Sequence, residues 1–166
     1  MGAKIDYSEF LNELDKRLSG YFKTFGDDIC CQKGCSSCCE KGDYPLSDTE
    51  LEYLMQGFMK LEPNLKIQVQ NNIKNMIRGE ACPFLINKEC SVYDYRPIIC
   101  RVHGLAYIYK DEKVKLPHCV NEGKNFSKSY KEDGFYGKPI PSNLDTMSLL
   151  EGSYNEIRNL YDWLNT

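Results

Sequence analysis

Histidine and tryptophan are scarce in this chain of 166 residues: His103 and His118 are the only histidines, and there is a single Trp. No HExxH pair, no glycine-rich phosphate loop and no matched nucleophile and base stand out, so the common zincin, nucleotide-binding and hydrolase signatures are missing. No stretch approaches the roughly 18 consecutive apolar residues that a membrane helix needs. Like charges never gather into a block, and the formal net charge is -3. The clustered basic stripe of a nucleic-acid-binding protein is therefore lacking. Met1 to Phe10 hold no apolar run ahead of a small-residue cleavage site, which argues against an export signal. Gly2 opens no myristoylation signal, because Asp6 stands where Ser or Thr belongs. These absences predict a cytoplasmic protein with neither membrane nor nucleic acid among its partners.

What the chain has in excess is cysteine, nine in all. Cys30, Cys31, Cys35, Cys38 and Cys39 fall within ten residues, and Cys82, Cys90, Cys100 and Cys119 follow. A reducing cytosol disfavours disulfides, and an odd number leaves one sulfur outside any disulfide framework. Metal ligation meets neither objection. Thiolates suit zinc and iron, and a closed four-coordinate site is usually made from short-spaced pairs. Cys35-Ser-Ser-Cys38 has that spacing, with Gly34 beside it to relieve backbone crowding.

The candidate ligands are Cys31, Cys35, Cys38, Cys39, Cys82, Cys90, Cys100 and Cys119, with Cys30 set aside. Eight thiolates could furnish two four-sulfur sites. Cys38 and Cys39 are adjacent, and in extended backbone their side chains would diverge to opposite faces. That predicts two centres on opposite sides of the loop, or one cysteine that only packs. Four thiolates around a dication need positive or hydrogen-bonding neighbours. Arg96 and Arg101 are candidates, whereas Lys33 and Lys41 read as surface charges. His103 and His118 each neighbour a cysteine and are candidates for a ligand or a supporting role.

Around the cysteines the chain reads as an α+β fold, a mainly helical small single domain over residues 1–166 with short β-hairpins. The cysteine-rich core spans 30–119, flanked by helices over 6–25 and 145–165. Phe10, Leu11, Leu14, Leu18, Tyr21, Phe22 and Phe25 make one helical stripe, opened by Asp6 and stopped by Gly26. Ser47 with Glu50 forms a capping box for a second helix carrying Leu51, Leu54, Met55 and Phe58. Pro63 opens a third, carrying Leu65, Val69, Ile73 and Met76 and ending at Gly79. Phe84 to Ile86 and Ser91 to Tyr93 are expected to pair around Asn87-Lys88, and Pro97 to start a short helix that presents Cys100. A second hairpin is expected from 105–110 and 114–116, delivering His118 and Cys119. The stretch up to 144 reads as ordered loop, with room for one short helix that would carry Phe126 and Tyr130 and end at Gly134. Asp145 is placed as the cap of a closing helix with Met147, Leu150, Tyr154, Ile157, Leu160, Tyr161 and Leu164 buried.

The spacings Cys31-x3-Cys35-x2-Cys38-Cys39, Cys82-Pro-Phe-Leu and Cys90-x-Val-Tyr-x-x-Arg96-Pro97-x-x-Cys100-Arg101, with Pro45-Leu46-Ser47 between them, resemble the YkgJ-type CxxCxxCC family. The resemblance covers about 30–120. It implies chelation of zinc or iron by the matching cysteines, the iron in one version as an iron–sulfur cluster. The first functional expectation is a structural or accessory metalloprotein that stabilises a fold, handles metal or passes electrons. The alternative is an iron–sulfur enzyme of redox or protein lysine N-methylation type, since flagellin lysine N-methylases carry a related cysteine pattern. Cys31-x3-Cys35-x2-Cys38 also matches radical S-adenosylmethionine spacing, but Ser37 replaces the usual aromatic and repeated βα units are lacking. A dithiol redox pair at Cys35 and Cys38 would normally sit at a helix N-terminus after a strand, not in a glycine-flanked loop.

Overall fold

The computed structural model describes residues 6–108, 114–128, 130–131, 134–135 and 154–165. Helix α1 runs Tyr7–Thr24, and the Asp6 carboxylate accepts the backbone N–H groups of Ser8 and Glu9 at its start. Leu11, Leu14 and Leu18 are buried at three- and four-residue steps. They form an apolar cluster with Tyr7, Ile98 and Leu105.

Strand β1 (Pro45–Ser47) leads directly into helix α2 (Asp48–Met59). The capping box is present: Ser47 Oγ accepts the Glu50 N–H at 3.2 Å, and Glu50 Oε2 accepts the Ser47 N–H at 2.8 Å. The other carboxylate oxygen, Oε1, accepts the Ile98 N–H at 3.1 Å. One buried glutamate thus holds the start of α2 and the start of a distant helix.

Helix α3 (Pro63–Lys74) opens on its proline and buries Val69. It stops before Met76 and Gly79, although Met76 still packs on the second apolar cluster with Leu46, Leu54, Phe58, Val69, Phe84, Val92 and Leu160. The first hairpin, β2 (Leu85–Ile86) with β3 (Glu89–Cys90), turns on Asn87 and Lys88. Both turn residues have positive φ, 51° and 66°, the geometry whose twist suits a two-residue hairpin loop. The partner strand is shorter and earlier than expected, because the chain turns tightly at Tyr93–Tyr95 instead of extending through Ser91–Tyr93. Pro97 caps helix α4 (Ile98–Val102), which carries Cys100. The second hairpin pairs β4 (Tyr107–Ile108) with β5 (Val114–Lys115), and a 3₁₀ turn over His118–Glu122 follows.

Beyond Glu122 the chain departs from two expectations. Phe126 lies in a turn with φ 60°, its N–H given to Asp28 O at 2.7 Å, and the chain then forms the hairpin β6 (Tyr130–Lys131) with β7 (Gly134–Phe135). Among the described residues no short helix joins Phe126 to Tyr130. The expected closing helix lies outside the described residues over 145–153. From Ile157 to Asn159 it is a strand, β8, antiparallel to β1 with Leu46 opposite Arg158. Helix α5 is confined to Leu160–Leu164. The pairing wins because Pro45–Ser47 offers an open edge, and Trp163 reinforces it by donating Nε1–H to Leu46 O at 3.0 Å. No helix among the described residues is long and apolar enough to cross a membrane.

Candidate metal centre

A cavity of about 470 Å³ opens where the two larger apolar clusters meet. Leu18 and Phe22 of α1 face it from one side, and Leu46, Leu54, Phe84 and Leu160 from the other. Cys31, Cys35, Cys38 and Cys39 line it from the N-terminal loop. Cys82, Cys90, Cys100 and Cys119 line it from four later segments. Cys30 is exposed and stands outside that lining.

Local structure explains how each sulfur arrives. Cys39 begins a 3₁₀ turn ending at Lys41, and its carbonyl accepts the Cys82 N–H at 2.7 Å. Gly42 makes this approach feasible: a Cβ there would stand 2.5 Å from Cys82 Cβ and 3.0 Å from both Cys82 N and Cys39 O. Cys90 closes the first hairpin opposite Leu85. Cys100 sits on α4, whose first turn Glu50 fixes. Cys119 lies in the 118–122 turn, and its carbonyl accepts the Lys124 N–H at 3.1 Å.

The expected divergence of Cys38 and Cys39 does not occur. Cys38 has helical backbone (φ -73°, ψ -31°) rather than extended, and the two sulfurs lie 3.9 Å apart. Tetrahedral zinc with Zn–S bonds near 2.3 Å has a sulfur–sulfur edge of about 3.8 Å. The adjacent pair therefore matches one edge of a single site. Among the described residues, however, no three Cys, His, Asp or Glu side chains already surround a common point at ligand distance. The thiols are gathered but must turn inward to enclose an ion.

Burial dominates their protonation. It pushes the Cys82 thiol up to about 12 and raises Cys90, Cys100 and Cys119 above the ordinary thiol value. Cys31 is pushed up to about 11 by burial, against an opposing hydrogen bond from Asn125. Within the adjacent pair, the Cys38–Cys39 hydrogen bond holds Cys38 below the ordinary thiol value, while Cys39 is raised by that same bond and by burial. Cys82, Cys90 and Cys100 lie within electrostatic reach of one another and of Cys38. Cys31 lies within reach of Cys35, Cys119 and also Cys38. The thiols thus fall into two electrostatic groups, Cys82 with Cys90 and Cys100, and Cys31 with Cys35 and Cys119, with Cys38 in reach of both.

The two candidate arginines take different partners. Arg101 gives its guanidinium to the Asp15 carboxylate and to the carbonyls of Arg96 and Asp94, so it ties α4 to α1. Arg96 is the cation beside Cys38, Cys90 and Cys100. Its Nε donates to Tyr93 O at 2.8 Å. Lys33 and Lys41 are exposed. Beside the group of Cys31, Cys35 and Cys119, Lys124 donates to Ser37 Oγ and to Glu122 and lies within electrostatic reach of Cys35 and Cys119.

The two histidines form one network. Ser37 O faces His118 Nε2 at 3.3 Å, and a carbonyl can only accept, so Nε2 of His118 carries the proton. His118 Nδ1 then accepts from His103 Nε2, 2.9 Å away. Tyr44 donates its O–H to Cys38 O at 2.9 Å, leaving its oxygen to face His103 Nε2 at 3.4 Å. Burial, then the neighbouring His118, lowers the His103 pKa to about 4. Both His118 nitrogens are engaged, and the proton on Nε2 of His103 leaves a lone pair on its Nδ1. Gly42, Lys124 and Asn125 had no signal in spacing or periodicity, since each meets the cysteine region through a residue far along the chain.

The fold and this cavity define a small, mostly helical protein with a cysteine-rich cavity. The chain belongs to the CxxCxxCC family, whose model is described as "Putative zinc- or iron-chelating domain" and matches residues 30–128. The match extends past the cysteines to take in Lys124 and Asn125. No curated protein and no solved structure matches the chain.

Proposed function

We propose that this protein is a cysteine-ligated metalloprotein in which Cys31, Cys35, Cys38, Cys39, Cys82, Cys90, Cys100 and Cys119 bind zinc, or iron as an iron–sulfur cluster. Its role is structural or accessory, in metal handling or electron transfer. One observation carries this reading: these eight thiols, from segments scattered over most of the family match, line one cavity that Cys30 does not reach. The donor set fits the group. It is all sulfur with neutral imidazole beside it, the combination that favours zinc or iron–sulfur chemistry over hard cations. Arg96 and Lys124 offset the charge of deprotonated thiolates. When bound, the metal supplies the deprotonation that burial opposes and draws loop, hairpin and α4 together.

The test is elemental analysis with an absorption spectrum on protein purified without oxygen. Iron with matching sulfide and visible absorption near ~400 nm assigns a cluster. Colourless protein with bound zinc assigns a zinc site. Protein free of both metals, with all nine thiols titratable by a thiol reagent after metal is offered, would sink the proposal.

A further inference from the structure

Asn125 is 1 % exposed, and each polar group of its side chain is engaged. Oδ1 accepts the Cys30 N–H at 2.7 Å. Nδ2 donates to Gly104 O at 2.7 Å and to Cys31 Sγ at 2.9 Å. These partners fix which end of the amide is which. A backbone N–H requires an oxygen opposite it and a carbonyl requires an N–H, so the atom facing sulfur is the nitrogen. The arrangement is built rather than incidental. A Cβ on Gly104 would stand 2.1 Å from Cys31 Sγ and 2.7 Å from Asn125 Nδ2, so a side chain there would occupy the contact itself. The turn that brings Asn125 in starts at Cys119: Gly123 takes φ 72°, Lys124 N–H bonds back to Cys119 O, and Phe126 N–H bonds to Asp28 O. Cys31 is exposed as a residue, yet its sulfur abuts Gly104 and Asn125.

We propose that Asn125 is a positioning residue for Cys31, donating an amide N–H to its sulfur so that the thiolate is held on the cavity wall and polarised as a metal ligand. This rests on the thiolate-ligation reading above. Hydrogen bonds from outside the ligand shell orient ligands and tune the metal, and losing one typically weakens metal binding by about 10–100-fold. An N–H to sulfur also lowers the energy of the sulfur lone pairs. Its removal moves sulfur-to-metal charge-transfer absorption to longer wavelength without changing the number of sulfurs bound.

The experiment compares the full chain with its Asn125→Asp variant, both loaded with cobalt(II) under reducing conditions. The aspartate keeps an oxygen for the Cys30 N–H but has no N–H for sulfur. The expected result is a thiolate-to-cobalt band shifted to longer wavelength at unchanged intensity, with cobalt bound about 10–100-fold more weakly. A variant with wild-type band position and affinity overturns the proposal. So does a band of lower intensity at unchanged wavelength, since that reports a lost ligand and a merely structural asparagine. If the variant does not fold, wild-type protein loaded with ¹¹³Cd decides. A scalar correlation between cadmium and the Asn125 side-chain amide protons, lost in Cys31→Ser, supports the bond. Thiolate-bound cadmium without that correlation overturns it. Absence of any thiolate band or thiolate-shifted cadmium signal in the wild-type protein would instead remove the ligation reading.

Discussion

Replacing Gly42 by alanine tests whether the cysteine loop and Cys82 depend on close backbone approach. The added Cβ would meet Cys82 Cβ at 2.5 Å and two backbone atoms at 3.0 Å, while carbon pairs are comfortable only near 3.5–4.0 Å. None of these atoms can rotate away, so the 39–42 turn must back off by about 1 Å. That opens the 2.7 Å bond between Cys82 N–H and Cys39 O. Overpacking costs about 1–3 kcal/mol and the lost hydrogen bond about 0.5–1.5 kcal/mol, together roughly 2–4 kcal/mol. For a chain of this size that is a fall in Tm of roughly 4–16 °C. Circular dichroism melts of reduced, metal-free protein measure it. Gly20→Ala is the internal comparison: Gly20 lies inside α1 with nothing within 4 Å of a new Cβ, so alanine should stabilise by about 0.5–1 kcal/mol. If Gly42→Ala melts with the wild type, or Gly20→Ala is the more damaging change, the packing argument is wrong.

Glu50→Ala should cost about 3–5 kcal/mol in urea unfolding, because it strips the carboxylate from buried donors on Ser47 and Ile98. Asp6→Ala, which removes an exposed cap, should cost about 1 kcal/mol; equal losses would contradict the double-capping role. The His103 pKa lies near 4 when folded and near 6.5 when unfolded, so below about 6.5 the unfolded chain binds the extra proton. Metal-free protein should therefore lose stability as pH falls from about 6.5 to 4, by up to about 3 kcal/mol. Urea midpoints at pH 7 and 5 should show this loss shrinking in His103→Gln, and an unchanged loss would exclude His103 as its source. Because burial holds Cys31, Cys82, Cys90 and Cys100 protonated, zinc uptake should release protons and tighten as pH rises. Titration in weak buffer checks this, and uptake with no proton release would mean the thiols are not the ligands.

The parts that could be read from sequence were those whose cause is local. Asp6, the Ser47–Glu50 pair, Pro63 and Pro97 each act within one turn, and their helices begin where they indicate. The apolar stripe of α1 was legible for the same reason. Ile157, Leu160, Tyr161 and Leu164 also have helical spacing, yet 157–159 pairs as a strand with Pro45–Ser47, and Ile157 is 41 % exposed. Spacing cannot reveal a partner strand at the other end of the chain. Adjacent cysteines diverge only in extended backbone, and the helical turn at Cys38 brings its sulfur to that of Cys39 instead. The polar contacts around the cavity were illegible, since Glu50 reaches Ile98 and Asn125 reaches Cys31 only once the fold exists.

The metal-to-protein ratio of nine single Cys→Ser variants, purified without oxygen, reads out whether eight cysteines and not the ninth bind metal. Cys30→Ser should retain the wild-type ratio, while serine at each of the eight cavity positions should lower it. Loss of metal in Cys30→Ser, or full retention in Cys82→Ser, Cys90→Ser and Cys100→Ser alike, would contradict it.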